Sequence, residues 1–191
     1  MGDMSFAAAK VPAGSVAFQP SDALALPSDD ASFDLVVCQF GVMFYPDKVK
    51  GNAEARRVLG DGGSYLAIIW DSLDRNPVSQ AMAEALIAEF PDNPPHFFER
   101  APYSYADPER IHDDLRAAGF HDIAIERVPA SSRVDARSAA HGMCCGSPLR
   151  SEIERLGPGA LDRAVPACER ALHGFDGVEA PMSALVVTAT K

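Results

Sequence analysis

The sequence predicts an α/β fold built on a mostly parallel sheet, and three observations support this prediction. Strand-like and helix-like patterns alternate along the 191 residues, which is the order that βαβ units produce. The clearest strand pattern, Phe33–Phe40 (FDLVVCQF), is an apolar run typical of a central strand buried on both faces. The glycine-rich turn at residues 60–63 then separates a helical pattern from a second apolar run, Ser64–Trp70 (SYLAIIW). We therefore expect a parallel sheet with helices packed on it.

The remaining elements follow from periodicity and from helix-end signals. Alternating patterns predict strands at Ser15–Gln19, His121–Val128 and Met182–Thr190. Helix starts are marked most clearly at Asp107, an N-cap residue followed by Pro108 at the first helical position. The predicted helices are Ser5–Lys10, Lys48–Leu59, Pro77–Phe90, Pro108–Ala118, Ser138–Gly142, Ser151–Leu156 and Leu161–Leu172.

The segment Pro91–Tyr105 does not fit a helix, a strand or a simple solvated loop. It holds four prolines and five aromatic or histidine side chains, so it is too apolar to face water throughout. We expect it to form a lid.

Composition indicates an ordinary single-domain globular protein with a small-molecule partner. The chain is 47% hydrophobic and 23% charged, and no apolar run approaches the roughly 18 to 20 residues of a membrane helix. No basic segment with an apolar core stands at its N-terminus, so we expect a cytoplasmic location. The net charge of -10 opposes binding to phosphate backbones, which argues against a nucleic-acid partner. The four cysteines lack zinc-like spacing, so we expect reduced thiols and no metal site.

Four patches of the sequence follow one another in a recognisable order and spacing. They are SDA with LP and SFD at residues 21–34, DLVVCQFGVMFYPD at 34–47, EARRVLGDGGS at 54–64 and IIWD at 68–71. Together these patches resemble the class I S-adenosylmethionine-dependent methyltransferases, in particular the methyltransferase type 11 group related to quinone-biosynthesis C-methyltransferases. The resemblance implies S-adenosylmethionine as cofactor and methyl transfer to a small-molecule acceptor.

The resemblance also implies three cofactor-binding residues. Asp22 and Ala23 correspond to the pair that binds the adenine ring of the cofactor. In such a pair the carboxylate accepts a hydrogen bond from the exocyclic amine, and the next backbone N–H donates to a ring nitrogen. Gln39, at the end of the clearest strand, corresponds to a cofactor contact. For Asp22 the alternative is local, since an aspartate at this position also suits the cap of a short turn.

By the same resemblance, Phe44, Tyr45 and Trp70 line the boundary between the cofactor and the substrate. An apolar cage suits the loss of sulfonium charge during transfer, and Tyr45 would offer a cation–π face. The alternative for all three side chains is core packing, which is the commoner role of large apolar residues. No catalytic base is predicted, because the five histidines are isolated from one another in the sequence.

The implied fold is a Rossmann-like methyltransferase sheet, mostly parallel, with an antiparallel C-terminal strand. Residues 1–191 would form one partial domain, with the cofactor side in residues 15–71 and the substrate side in residues 72–191. The family's glycine-rich motif, D-x-G-x-G-x-G, has no counterpart in the sequence, so we expect the first two strands and the cofactor loop to be missing. Cofactor binding should then be impaired, and exposed sheet edges should favour self-association.

Three explanations of this gap remain open. The residual strands close up, another chain fills the gap, or the reading frame begins downstream of the true start. The last explanation is favoured and describes a truncated methyltransferase. In function, the alternative to an enzyme is a non-catalytic remnant that acts as an interaction partner. A nucleotide-dependent dehydrogenase is disfavoured because the sequence contains no GxGxxG.

Overall fold

A four-stranded sheet organises the protein, and its strands lie in the order β1-β2-β4-β3. The computed structural model describes residues 5–12 and 14–191, without the side chains of residues 6 and 7. The strands are β1 (Phe33–Gln39), β2 (Leu59–Trp70), β3 (His121–Arg133) and β4 (Glu179–Thr190). β2 pairs in parallel with β1, while β4 pairs antiparallel with both β2 and β3. Three strands therefore run one way and the C-terminal strand runs against them, which confirms the predicted α/β class.

Helices connect the strands and form most of the remaining structure. Short 3-10 turns add to them at Val42–Phe44, Leu73–Arg75 and His173–Phe175. The helices are α1 (Ser5–Ala8), α2 (Lys48–Val58), α3 (Pro77–Glu89), α4 (Phe97–Arg100), α5 (Pro108–Ala117), α6 (Ala136–Gly146), α7 (Leu149–Glu154) and α8 (Ala160–Ala171).

Aspartate N-caps begin three of these helices. Asp47, Asp107 and Asp135 stand before α2, α5 and α6, and each carboxylate accepts a hydrogen bond from a backbone amide of the first turn. Such a cap satisfies one of the amides that a helix leaves unpaired, and it contributes about 1 kcal/mol. The capped amides belong to Lys50, Glu109 and Ser138.

Two hydrophobic cores support the fold. The first lies between one face of the sheet and the helices α2 and α5, where Tyr65 of β2 stacks on Phe120 with 5.2 Å between ring centroids. The second is made by α3, α4, α6, α7 and α8, which pack on one another around side chains such as Leu86, Leu149 and Cys168. Among the described residues, none of these five helices contributes a side chain to the first core. A boundary between two separately packed regions results.

β1 lies at an edge of the described sheet, and the prediction of a central strand buried on both faces is wrong for the described residues. Leu35 and Val37 are 54% and 53% exposed, although Val36 and Cys38 pack against the first core. An apolar run indicates a preference for burial, but it does not show whether helices cover both faces of the strand.

Two other predictions differ from the structure near its start. Residues 16–20 form no strand and are exposed, so the predicted strand Ser15–Gln19 is wrong within the described residues. β2 begins at Leu59 instead of Ser64, because the glycine-rich stretch joins the strand through an irregularity in its register with β1. Gly62 has a φ of +77°, which a side chain would oppose. Short alternating patterns and glycine turns are therefore weak guides to strand boundaries.

A buried polar cluster, here called the Asp71 network, joins three strands to the start of α3. Asp71 is 1% exposed, and its carboxylate accepts hydrogen bonds from Arg127 Nε at 2.6 Å and Ser183 Oγ at 2.8 Å. The Asn76 side chain donates to the carbonyls of Ser72 and Ser183, and its Oδ1 accepts from the Ser183 amide. These bonds fix the end of β2 against β3 and β4.

The Asp71 carboxylate is charged because its partners outweigh its burial. Burial by itself would raise the pKa of Asp71, but hydrogen bonds from Arg127, Ser183 and the Ser72 amide lower it below the ordinary value. A depressed pKa adds stability above the pKa of the unfolded chain, and this stability is lost as the pH falls through the folded value.

Asp71→Asn is expected to lower the free energy of unfolding at pH 7 by about 2 kcal/mol, because it removes the charge from two hydrogen bonds. The wild-type protein should also lose stability below roughly pH 4, while the variant should lose less over the same range. Urea titrations at pH 7, 5 and 3 measure both effects. Asp74→Asn, at an exposed neighbour, is the control. The same pH dependence in wild type and Asp71→Asn would contradict this account.

Candidate functional site

A cavity of about 660 Å³ lies where the carboxyl ends of β2 and β3 meet the helical core. Trp70 at the end of β2, Phe44 after β1 and Met182 at the start of β4 form one side. The opposite side comes from α3, α4 and α6. The carboxyl edge is where open α/β sheets bind ligands, and the volume is typical of a small-molecule site.

Neighbouring aromatic rings make part of the cavity wall apolar. Trp70 lies 6.2 Å from Tyr103, and Tyr103 lies 6.4 Å from Phe98, measured between ring centroids. These three residues, here called the aromatic wall, all line the cavity. Each ring is held by its neighbour, so a planar apolar ligand would meet a surface that is already ordered.

Phe40 supports the aromatic wall from behind through an unusual backbone conformation. Its φ is +51°, in the left-handed region that costs a residue with a side chain roughly 1 kcal/mol. The Phe40 amide donates to the carbonyl of Ile68 at 2.8 Å, and its ring stacks on Trp70 at 4.3 Å. The turn after β1 is therefore coupled to the orientation of Trp70.

Polar side chains also line the cavity, and some of their hydrogen-bonding groups are already engaged. Tyr103 Oη donates to Ser79 Oγ at 2.7 Å, and both residues line the wall. Burial raises the pKa of Tyr103, so its hydroxyl stays protonated and remains a donor. Near the end of β3, Arg133 and Asp135 also line the cavity, and Asp135 is engaged as the cap of α6. The cavity thus combines an apolar body with isolated hydrogen-bonding groups.

The structure separates the three predicted substrate-lining residues. Phe44 and Trp70 line the cavity, and Phe44 is 49% exposed. Tyr45 does not line this cavity, because the chain turns after Phe44 and directs the next side chain towards α2. Its predicted place beside the substrate stays a prediction. The Tyr45 ring packs so closely on Gly51 that an added Cβ would lie 2.4 Å from it, and Tyr45 Oη lies 3.1 Å from Cys38 Sγ. Burial raises the pKa of Tyr45 as well.

Asp22, Ala23 and Gln39 lie on different segments of the chain. Asp22 Oδ1 accepts from the Leu24 amide at 2.9 Å, which is the turn-capping geometry that the sequence left open. Ala23 is half-buried within this turn. Gln39 is the last residue of β1 and is exposed. The roles of the three residues in cofactor binding stay predictions.

Arg57 fixes the segment that follows Asp22, through what is here called the Arg57 clamp. Its guanidinium donates five hydrogen bonds of 2.6–3.0 Å. Glu54 Oε2 in turn accepts from the Leu26 amide at 2.8 Å. A planar guanidinium can serve several fixed acceptors at once, so this loop is held against α2. The acceptors are both oxygens of the Glu54 carboxylate, Asp30 Oδ1 and the carbonyls of Leu26 and Ser28.

Arg57→Lys should loosen this loop without unfolding the protein. Lysine keeps the positive charge, but its single ammonium group cannot replace the planar guanidinium that donates to several acceptors at once. We expect the Leu26 amide to exchange with solvent about tenfold faster, which hydrogen exchange measures by NMR. Arg150→Lys is the matched control, since Arg150 pairs with Glu154 on an exposed helix surface. Unchanged protection at Leu26 would contradict the role of the clamp.

Sequence reasoning missed most of the cavity wall. The lid predicted at Pro91–Tyr105 supplies Phe98 and Tyr103, but Ser79 and Met143 were not singled out. Ser79 and Met82 are three residues apart on α3, so the sequence shows that they share a face. It does not show that α6 lies opposite that face.

The described residues form neither a metal site nor a membrane-spanning helix. Across residues 5–12 and 14–191, no group of three or more His, Cys, Asp and Glu side chains could hold a metal ion. Within the same ranges, no helix combines the length and apolarity needed to cross a membrane. The four cysteines are free thiols, and the sulfurs of Cys144 and Cys168 lie 3.7 Å apart between α6 and α8.

Comparisons with known proteins agree with this geometry. A family model described as a methyltransferase domain matches residues 3–67. The chain is 30% identical over 119 residues to a demethylmenaquinone methyltransferase from Deinococcus radiodurans, a match that covers 56% of this chain and 48% of that protein. The chain therefore spans about half the length of this curated relative.

Solved structures show the same fold. The YcgJ protein from Bacillus subtilis is 18% identical, with a TM-score of 0.52 over 98% of this chain and 76% of that one. A chain in a complex of the Haloferax volcanii Trm112 methyltransferase activator is 18% identical, with a TM-score of 0.50 over 97% of this chain and 66% of that one. Together with the matched segment, these findings confirm the predicted resemblance. Residues 3–67 match a methyltransferase domain, and the chain shares its fold with these solved structures.

Proposed function

We propose that this protein takes part in S-adenosylmethionine-dependent methyl transfer to a small, largely apolar acceptor. The observation that carries the proposal is the aromatic-lined cavity at the carboxyl ends of β2 and β3. The match of residues 3–67 to a methyltransferase domain supports the reaction, and so does the similarity to the demethylmenaquinone methyltransferase of Deinococcus radiodurans. In this proposal Phe44 and Trp70 face the acceptor.

Methyl transfer from a sulfonium depends mainly on the positions of the reacting atoms. The aromatic wall would restrict the acceptor to one plane, and its apolar surface would exclude water from the reacting centre. The cofactor supplies the methyl group when it is bound. No side chain is assigned as a base, because the described residues around the cavity offer no histidine and its one carboxylate, Asp135, caps a helix.

The residues present fit the cofactor in part. The second carboxylate oxygen of Asp22 and the side-chain amide of Gln39 have no hydrogen-bond partner among the described residues. Both groups are therefore available to adenine or ribose. The glycines near the strands are poorly placed to form a glycine-rich cofactor loop. Gly60–Gly63 lies at the start of β2, on the sheet edge opposite the cavity, and a Cβ on Gly41 would lie 2.8 Å from Cys38 Sγ. We therefore infer that these 191 residues by themselves bind the cofactor weakly.

Calorimetry with S-adenosylhomocysteine tests this inference on the 191-residue chain. We expect a Kd weaker than about 100 µM, with further weakening in Asp22→Ala and Gln39→Ala. Asp74→Ala, at an exposed site away from these residues, is the control. A Kd near 1 µM would show that the chain assembles a full cofactor site. Complete loss of binding by a folded chain would favour the alternative function, a non-catalytic remnant that acts as an interaction partner.

The exposed edge of β1 supports a second proposal, that the protein associates with a second copy of itself. Leu35 and Val37 present apolar side chains beside backbone groups that no described strand pairs on that side. An unpaired apolar edge is a template for strand addition by another chain.

Sedimentation velocity at roughly 50 µM protein is expected to show dimers or larger species for the wild type. Val37→Lys should shift the protein towards the monomer, because a lysine on an edge strand opposes pairing. Val178→Lys is the control, as Val178 is 48% exposed and lies just before β4. A wild-type protein that sediments only as a monomer would rule out self-association through β1.

A further inference from the structure

The two hydroxyl groups of Ser79 and Tyr103 form a directional pair inside an otherwise apolar part of the cavity. Tyr103 Oη donates to Ser79 Oγ at 2.7 Å, and the Tyr103 ring is held between Trp70 and Phe98. A hydroxyl that accepts a hydrogen bond still carries its own proton. Among the described residues, Ser79 Oγ has Tyr103 as its hydrogen-bond partner, so the Ser79 proton is available to a ligand.

Tyr103 is the donor of this pair. The hydrogen bond runs from Tyr103 Oη to Ser79 Oγ, and burial raises the pKa of the Tyr103 hydroxyl, which favours the protonated phenol. A hydroxyl that accepts a hydrogen bond becomes a better donor in turn. Ser79 thus presents a polarised O–H beside the aromatic wall.

A second serine of the cavity shows what distinguishes Ser79. Ser147 also lines the wall, but its Oγ donates to the carbonyl of Met143 at 2.7 Å and accepts from the Leu149 amide. The Ser147 hydroxyl proton is therefore already donated to a backbone carbonyl. Among the described residues, the Ser79 hydroxyl proton has no such acceptor.

We propose that Ser79, held by Tyr103, binds a carbonyl oxygen of a planar apolar ligand in this cavity. A carbonyl has acceptor sites and no proton, so it complements a single O–H donor. Its flat apolar body would lie against the aromatic wall. The inference rests on the proposed function only in taking this cavity as the acceptor site. Ser79 is a binding residue in this scheme, and Tyr103 is a positioning residue.

Two matched probes test the proposal without methyl transfer. 1-Tetralone and tetralin share one carbon skeleton and differ by a carbonyl oxygen. Binding to the 191-residue chain is followed by the indole N–H resonance of Trp70, which is the single tryptophan and lines the cavity. The wild type should bind the ketone about fivefold more tightly than the hydrocarbon, as one neutral hydrogen bond allows.

The variants assign this preference to Ser79. Ser79→Ala should abolish the fivefold preference and leave tetralin binding unchanged, while Ser79→Thr, which restores a hydroxyl, should recover it. Tyr103→Phe should reduce the preference to about twofold, because the ring stays and the orienting bond is lost. Ser147→Ala should keep the full preference. The Trp70 resonance of each free variant reports whether the cavity is still folded.

The outcomes separate this inference from the proposed function. Equal binding of both probes to the wild type overturns the role of Ser79 and leaves the cavity as a binding site. Failure of both probes to bind overturns the cavity as an acceptor site, and with it this inference. A ketone preference that survives Ser79→Ala also overturns the inference. Loss of the preference in Ser79→Ala with recovery in Ser79→Thr supports it, whatever the affinity for the cofactor.

Discussion

The insertion of β4 between β2 and β3 is the constraint on which the rest of the structure depends. β4 runs antiparallel to both neighbours, so β3 is attached to the sheet only through the last strand of the chain among the described residues. The Asp71 network fastens the start of β4 to the end of β2 and to β3 through charged and neutral hydrogen bonds. Because β4 begins where β2 and β3 end, its insertion also aligns the edge at which the cavity opens.

The cavity lies where two hydrophobic cores meet, one formed by helices on the sheet and the other by helices packed on one another. The first core covers one face of the sheet, and the second is a helical cluster beside its carboxyl edge. Trp70 is only partly buried against the first core and Tyr103 only partly buried against the second, and both line the space between the two cores. Neighbouring aromatic rings give this space an apolar wall, and the Ser79–Tyr103 pair adds a hydrogen-bonding group to it.

Much of the fold could be predicted from local patterns, and the failures have physical causes. Asp107-Pro108 marked the start of α5 correctly, because capping is a property of a few consecutive residues. The apolar run of β1 was recognised as a strand, but its place at an edge depends on partners that the run does not contain. For the site, the sequence resemblance predicted that Phe44 and Tyr45 both line the substrate side. In the structure the backbone turns between them, so that Phe44 lines the cavity and Tyr45 packs on Gly51.

By itself, the sequence determined the class of fold, the strand and helix types, and the resemblance carried by four ordered patches. Those features depend on composition, on periodicity and on short motifs, which are read along the chain. Only the tertiary structure decided that α3, α4 and α6 face one another across a cavity. It also decided that Asp71 meets Arg127 and Ser183, and that Ser79 accepts a hydrogen bond from Tyr103. These are contacts between residues far apart in sequence, and their energies arise only when packing brings the groups within a few ångströms.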